Sequence, residues 1–125
     1  FARLAERAAT VLGERIKEVR ASRVLRDSPA RLVSDEEALG REMQRIQQLL
    51  GREAEQAPRI LELNPGHSLV AALARRVEAN TEDPVVTAAL EQLYDNALLI
   101  EGLHQNPAAM VPRLLALIEA AARIQ

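Results

Sequence analysis

Two histidines, His67 and His104, and a serine beside an aspartate, Asp27-Ser28, are the side chains of this sequence best suited to acid–base or nucleophilic work. A hydrolytic triad would need Ser28, Asp27 and His67 brought together, with the serine on a glycine-flanked turn. No such glycine pattern surrounds Ser28. Neither histidine has a second histidine or a carboxylate pair at ligand spacing of the HExxH kind, so the pattern assigns no metal site. His67 follows Asn64-Pro65-Gly66, where a histidine caps or packs at the start of a helix. The chain has no Cys, which excludes disulfides and thiolate metal sites and fits a reducing compartment. The expectation is therefore a chain without catalytic, cofactor-binding or metal-binding residues of its own.

Binding is the other chemistry to weigh. Arg15, Lys17, Arg20, Arg23, Arg26 and Arg31 form a basic segment able to touch phosphate, so a nucleic-acid-binding module using residues 15–31 is the alternative reading. Against it, Glu14 and Glu18 interrupt the segment, no aromatic residue stands there to stack on bases, and the net charge is -2. Such a cluster is more often a solvated sheet face. No nucleic-acid partner is expected.

The elements that must carry any site fit one domain spanning residues 1–125, long enough to remove about two-thirds of its unfolded surface from water. Hydrophobic residues make up 48%, yet only Phe1 and Tyr94 are aromatic, so the core must be built from Leu, Ile, Val and Ala. No apolar run approaches the length of a membrane span, and no membrane partner is expected. The chain begins without Met inside a helical pattern, which reads as a fragment of a longer protein.

Periodicity predicts a first helix to about Leu12, stopped by Gly13, then a strand over 17–25 and a second over 30–33, joined as a hairpin through Asp27-Ser28-Pro29. Ser34-Asp35-Glu36-Glu37 matches a capping box opening a helix to Leu50, with Leu39, Met43, Ile46 and Leu50 in one narrow stripe. Residues 60–63 suit a third strand. Asn64-Pro65 reads as an N-cap and first helical position, ahead of a helix carrying Leu69, Val70, Leu73 and Val77 inward. Asp83-Pro84 starts a helix ended by Gly102, with Leu103 folding back on Leu98. Asn106-Pro107 starts the last one, which Pro112 should kink in its second turn. The fold class is α+β, a small three-stranded sheet with flanking helices and a C-terminal helical pair.

That pair carries a surplus. Val86, Leu90, Leu93, Ala97 and Ile100 follow a four-three alternation, with Tyr94 and Leu98 on an adjoining row. In the last helix Met110, Leu114, Leu117, Ala121 and Ile124 form one such row, and Val111, Leu115, Ile118 and Ala122 form a second. An ordinary surface helix shows one apolar stripe toward its own core. The second row predicts a second neighbour, either another copy, giving an intermolecular four-helix bundle closed by a twofold axis, or the first helix of the same chain.

Motifs agree with one of these. The run Leu61-Glu62-Leu63-Asn64-Pro65-Gly66-His67-Ser68-Leu69 resembles the Glu-Leu/Ile-Asn-Pro-x-His-x-Leu/Ile motif of the heat shock protein 90 family. Leu93-Tyr94-Asp95-Asn96-Ala97-Leu98-Leu99-Ile100-Glu101-Gly102 is similar to its following signature, an aromatic beside acidic residues and then Ala-Leu-Leu. Upstream, residues 14–20 and 25–30 resemble the entry into the C-terminal domain, so four ordered motifs cover nearly the whole chain. The resemblance, closest to the bacterial branch, implies the C-terminal dimerisation domain of a cytoplasmic, ATP-driven chaperone. ATP and Mg would be held in a separate N-terminal domain, and this chain would be no enzyme.

It also implies that residues 83–125 are the dimerisation helices. Leu90, Leu93, Tyr94, Ala97, Leu98, Met110, Val111, Leu114, Leu115, Leu117, Ile118 and Ala121 are the expected contacts. The partners implied are a second copy and unfolded or partly folded client proteins. Clients would meet the helix over 34–50 through Leu39, Met43, Ile46 and Leu50, unless those four face the domain's own sheet. Met suits a surface that accepts many shapes, while Gln47 narrows the stripe. The eukaryotic acidic tail that docks co-chaperones has no counterpart in Ala-Arg-Ile-Gln at the end of this sequence, so that partner class is not expected.

Overall fold

The computed structural model describes residues 1–33 and 59–123. The expected helix over 34–50, its Ser34 capping box and the client stripe of Leu39, Met43, Ile46 and Leu50 lie outside the described residues. So does Ile124.

Helix α1 (Ala2–Leu12) buries Leu4, Ala8 and Leu12, one residue per turn on one face. Gly13 ends it at φ 56°, a left-handed conformation that side-chain-bearing residues disfavour. A 3-10 turn, Gly13–Arg15, leads into strand β1 (Ile16–Ala21). Strands β2 (Ala30–Val33) and β3 (Arg59–Leu63) complete a three-stranded sheet ordered β1-β3-β2.

That order corrects the expected hairpin. β1 runs parallel to β3 and β2 antiparallel to it, so the first two strands never pair. The strand buried along almost its whole length takes the centre, where both faces are covered, and the two more exposed strands become edges. β1 also stops at Ala21 and not at Leu25. The Ser22 hydroxyl accepts from the amides of Val24 and Leu25, turning the chain out of the sheet and leaving Val24 exposed.

In β3, alternation sends Leu61 and Leu63 to the helical side, where both are fully buried with Leu32 and Ile16. Helix α2 (Ser68–Ala79) contributes Val70, Leu73 and Val77 to the same core. Leu69, expected inward, is 38% exposed, because its neighbour Val70 occupies the core-facing position of the first turn. The α2 cap also moves. Asn64 and Pro65 do not begin the helix. The Asn64 carboxamide oxygen accepts from Gly66 N–H at 3.0 Å and its backbone carbonyl accepts from His67 N–H, so residues 64–67 form a turn and His67 becomes the cap.

Helix α3 (Pro84–Ile100) starts as expected, with the Asp83 side chain accepting from Val85 N–H and Pro84 in the first turn. Burial alone would raise the Asp83 pKa, but the Arg76 guanidinium and the amides of Val85 and Val86 outweigh it and hold the carboxyl below its usual value. The helix stops at Gly102, φ 72°, where Leu103 N–H donates to Leu98 C=O at 2.9 Å in a Schellman arrangement. A 3-10 turn, Pro107–Met110, precedes helix α4 (Val111–Ala122). The kink expected at Pro112 is therefore a junction. Pro112 sits in the first turn of α4, where its missing N–H would have had no intrahelical acceptor.

Helix α1 packs on β1, α2 and α3, and α3 packs on β2, enclosing the core on one face of the sheet. Helix α4 lies on α3. The fold is mixed α+β, with four α-helices among the described residues.

Candidate association site on the C-terminal helices

The two apolar rows of the C-terminal helices have different fates. In α3 the four-three row turns inward: Val86, Leu90, Leu93 and Ala97 are buried in the chain's own core. Tyr94 and Leu98, on the adjoining row, are half-buried against that core and line a cleft of about 520 Å³ with Arg15, Leu32, Leu103 and His104. Arg15 lies over the Tyr94 ring at 5.6 Å. Burial pushes the Tyr94 phenol above its usual pKa, and the nearby Arg15 charge only partly counters this.

Helix α4 behaves otherwise. None of its residues is buried. Its first row leans on α3: Met110, in the preceding turn, is buried, and Leu114 and Leu117 are partly covered, whereas Ala121 is exposed. Its second row stands in solvent, with Val111 at 50%, Leu115 at 57% and Ile118 at 62% exposure. At the last residue of α3, Ile100, the four-three row is exposed as well. A helix this apolar with no buried residue cannot be held by hydrophobic contact with its own chain alone.

Polar contacts do part of that holding. Arg113 reaches Asp95, Gln92 and Glu91 on α3, and His104, in the turn between the helices, sets Nε2 3.2 Å from the second Asp95 oxygen. Sequence reading missed these residues. The signal available was that Arg113 is the one charged residue between Asn106 and Ile118.

The chemistry-bearing candidates take structural posts. His67 Nδ1 accepts from Leu69 N–H at 3.0 Å, capping α2. Ser28 is exposed, and its carbonyl, with that of Arg26, accepts from the Asn64 amide, which ties the 26–28 loop to the end of β3. Nothing joins Asp27, Ser28 and His67. The basic segment is partly neutralised: Arg15 pairs with Glu91 at 3.0 Å, and Arg20 and Arg31 both pair with Glu62.

A family model described as Hsp90 protein matches residues 1–125. The chain belongs to the heat shock protein 90 family. Among curated relatives, the Chaperone protein HtpG of Oleidesulfovibrio alaskensis is 37% identical over 112 residues, which are 90% of this chain and 18% of the relative. That of Chlorobaculum tepidum is 39% identical over 116 residues, again 90% of this chain and 18% of the relative. That of Halorhodospira halophila is 41% identical over 112 residues, 89% of this chain and 17% of the relative. This heat shock protein 90 chain thus spans less than a fifth of the length of the relatives it matches. In it, the Asn-Pro motif is a loop-and-cap device built on Asn64 and His67, and the Ala-Leu-Leu signature is the last turn of α3. No helix among the described residues is long and apolar enough to cross a membrane.

Proposed function

We propose that this chain is the homodimerisation domain of an ATP-dependent molecular chaperone, pairing α3 and α4 with those of a second copy in a four-helix bundle. The observation that carries the reading is α4, an apolar helix with no residue buried in its own chain and an outer row of Val111, Leu115 and Ile118 in solvent. Each such side chain contributes about 1.5–3 kcal/mol when fully buried, against an association cost of about 4–15 kcal/mol. Rows from both copies together are needed to exceed that cost, which favours a symmetric contact. Leu114, Leu117 and Ala121 flank the outer row. Leu90, Leu93 and Ala97 support α3 from within, and Tyr94 and Leu98 belong to its flank.

Family membership supports the rest of the reading. Nucleotide and magnesium are handled by another domain of the full-length protein, this chain does no chemistry, and the assembly works in the cytoplasm. Sedimentation equilibrium of the chain at tens of micromolar is expected to give twice the monomer mass, and a monomer there overturns the dimer. Client proteins are read as meeting Leu39, Met43, Ile46 and Leu50. A photo-crosslinker at position 43 should capture an unfolded protein, and adducts that form only from other positions count against that assignment.

A further inference from the structure

Resting on the dimer reading, we propose that Asp95 is a positioning residue for pairing, the hub that sets the direction in which α4 offers its apolar row to the second copy. A helix with no buried residue takes its angle from whatever else grips it. Here the grip is polar and centred on one carboxylate. One Asp95 oxygen accepts from Arg113 of α4, and the other lies 3.2 Å from His104 Nε2 in the connecting turn. His104 Nδ1 accepts in turn from the backbone N–H of Asn106 at 3.2 Å, the residue that opens the 3-10 turn into α4. That bond leaves the ring proton on Nε2, facing Asp95. Asp95 therefore ties together α3, the turn and α4.

The neighbours make the arrangement specific. The Arg113 fork also donates to Gln92 Oε1 at 3.2 Å and to Glu91 Oε2 at 3.4 Å. Gln92 is itself held by Asn96 at 2.8 Å and lies 3.6 Å from the buried Met110 sulfur. A planar guanidinium gripping groups at positions 91, 92 and 95 resists both sliding and rotation of α4 along α3, which a point charge would not. The side chains of Asp95, His104 and Arg113 are only 14%, 11% and 19% exposed, so the contacts are less screened than surface ion pairs.

The test compares Asp95→Asn, Arg113→Gln and the double variant by dimer Kd from sedimentation equilibrium. Thermal melting of the same changes in a Leu115→Glu background reads folding apart from pairing. Each single change is expected to raise Kd about tenfold. The double variant should be no weaker than the worse single, since both remove one contact. Arg113→Lys, which keeps charge and loses the fork, should fall between wild type and Arg113→Gln, and melting in the Leu115→Glu background should barely move. Unchanged Kd in a dimeric wild type, additive losses, or melting that falls in step with Kd overturns the hub and leaves the dimer reading standing. A wild type that is monomeric removes both.

Discussion

Leu115→Glu combined with Ile118→Glu is expected to turn the dimer into a monomer, raising Kd by at least about a hundredfold, while the melting temperature of the monomer stays near that of the wild-type fold. Both side chains already stand more than half in solvent, so charging them costs the single chain little. In a bundle they would meet their symmetry mates across the axis, and burying unpaired carboxylates there carries the full desolvation penalty. Analytical ultracentrifugation read beside circular dichroism separates the two quantities. The contrasting change is Leu90→Ala. Leu90 is fully buried in this chain's core, so its truncation should cost about 2–5 kcal/mol of folding stability and leave pairing intact once the loss of folded material is allowed for. Dimers that survive the double charge, or that dissociate with Leu90→Ala while the fold holds, would move the seam from α4 to α3.

This contrast marks how far the sequence was legible. Local signals read well: Gly13 and Gly102 as stops, Asp83-Pro84 as a start, and the inward rows of α1 and α3 all depend on residues within a turn or two of each other. Two four-three rows on α4 were visible too, but which row would lean on α3 depends on how Met110 seats against Gln92, a contact between residues 18 apart in the chain. Strand order failed for the same physical reason. Turn chemistry at Asp27-Ser28-Pro29 suggested a hairpin, whereas the pairing was decided by β3, whose buried backbone needs partners on both edges. Asn64 looked like a helix cap because its side chain suits one, yet that side chain is spent on the carbonyls of Arg26 and Ser28. The Asp95 hub, spread over α3, the turn and α4, left a one-dimensional trace only in the isolation of Arg113.

Acid should expose the second large effect, at the centre of the sheet. Glu62 is paired in register with Arg20 on one side and Arg31 on the other, at 2.7 Å and 2.6 Å, and its side chain is 6% exposed. Burial by itself would raise the pKa of this carboxyl. The hydrogen bonds and charges of Arg31 and Arg20 outweigh burial and lower it from the ordinary 4.5. A group whose folded pKa lies below its unfolded one adds stability that is fully present above the unfolded value and is lost as pH falls through the folded one. Glu62→Gln removes that contribution at every pH and leaves two guanidiniums facing a neutral amide across β3. The expected loss is about 2 kcal/mol near neutrality, below that of a fully buried broken pair because both arginines are more than 40% exposed and screened by water. Chemical denaturation of both chains across pH should therefore show a constant gap above about pH 5.5 that narrows as pH falls below 4.5, when protonated Glu62 comes to resemble the glutamine that replaced it. A gap that stays constant down to pH 3 would mean that the arginines stabilise the strand through packing of their stems and not through the carboxylate charge.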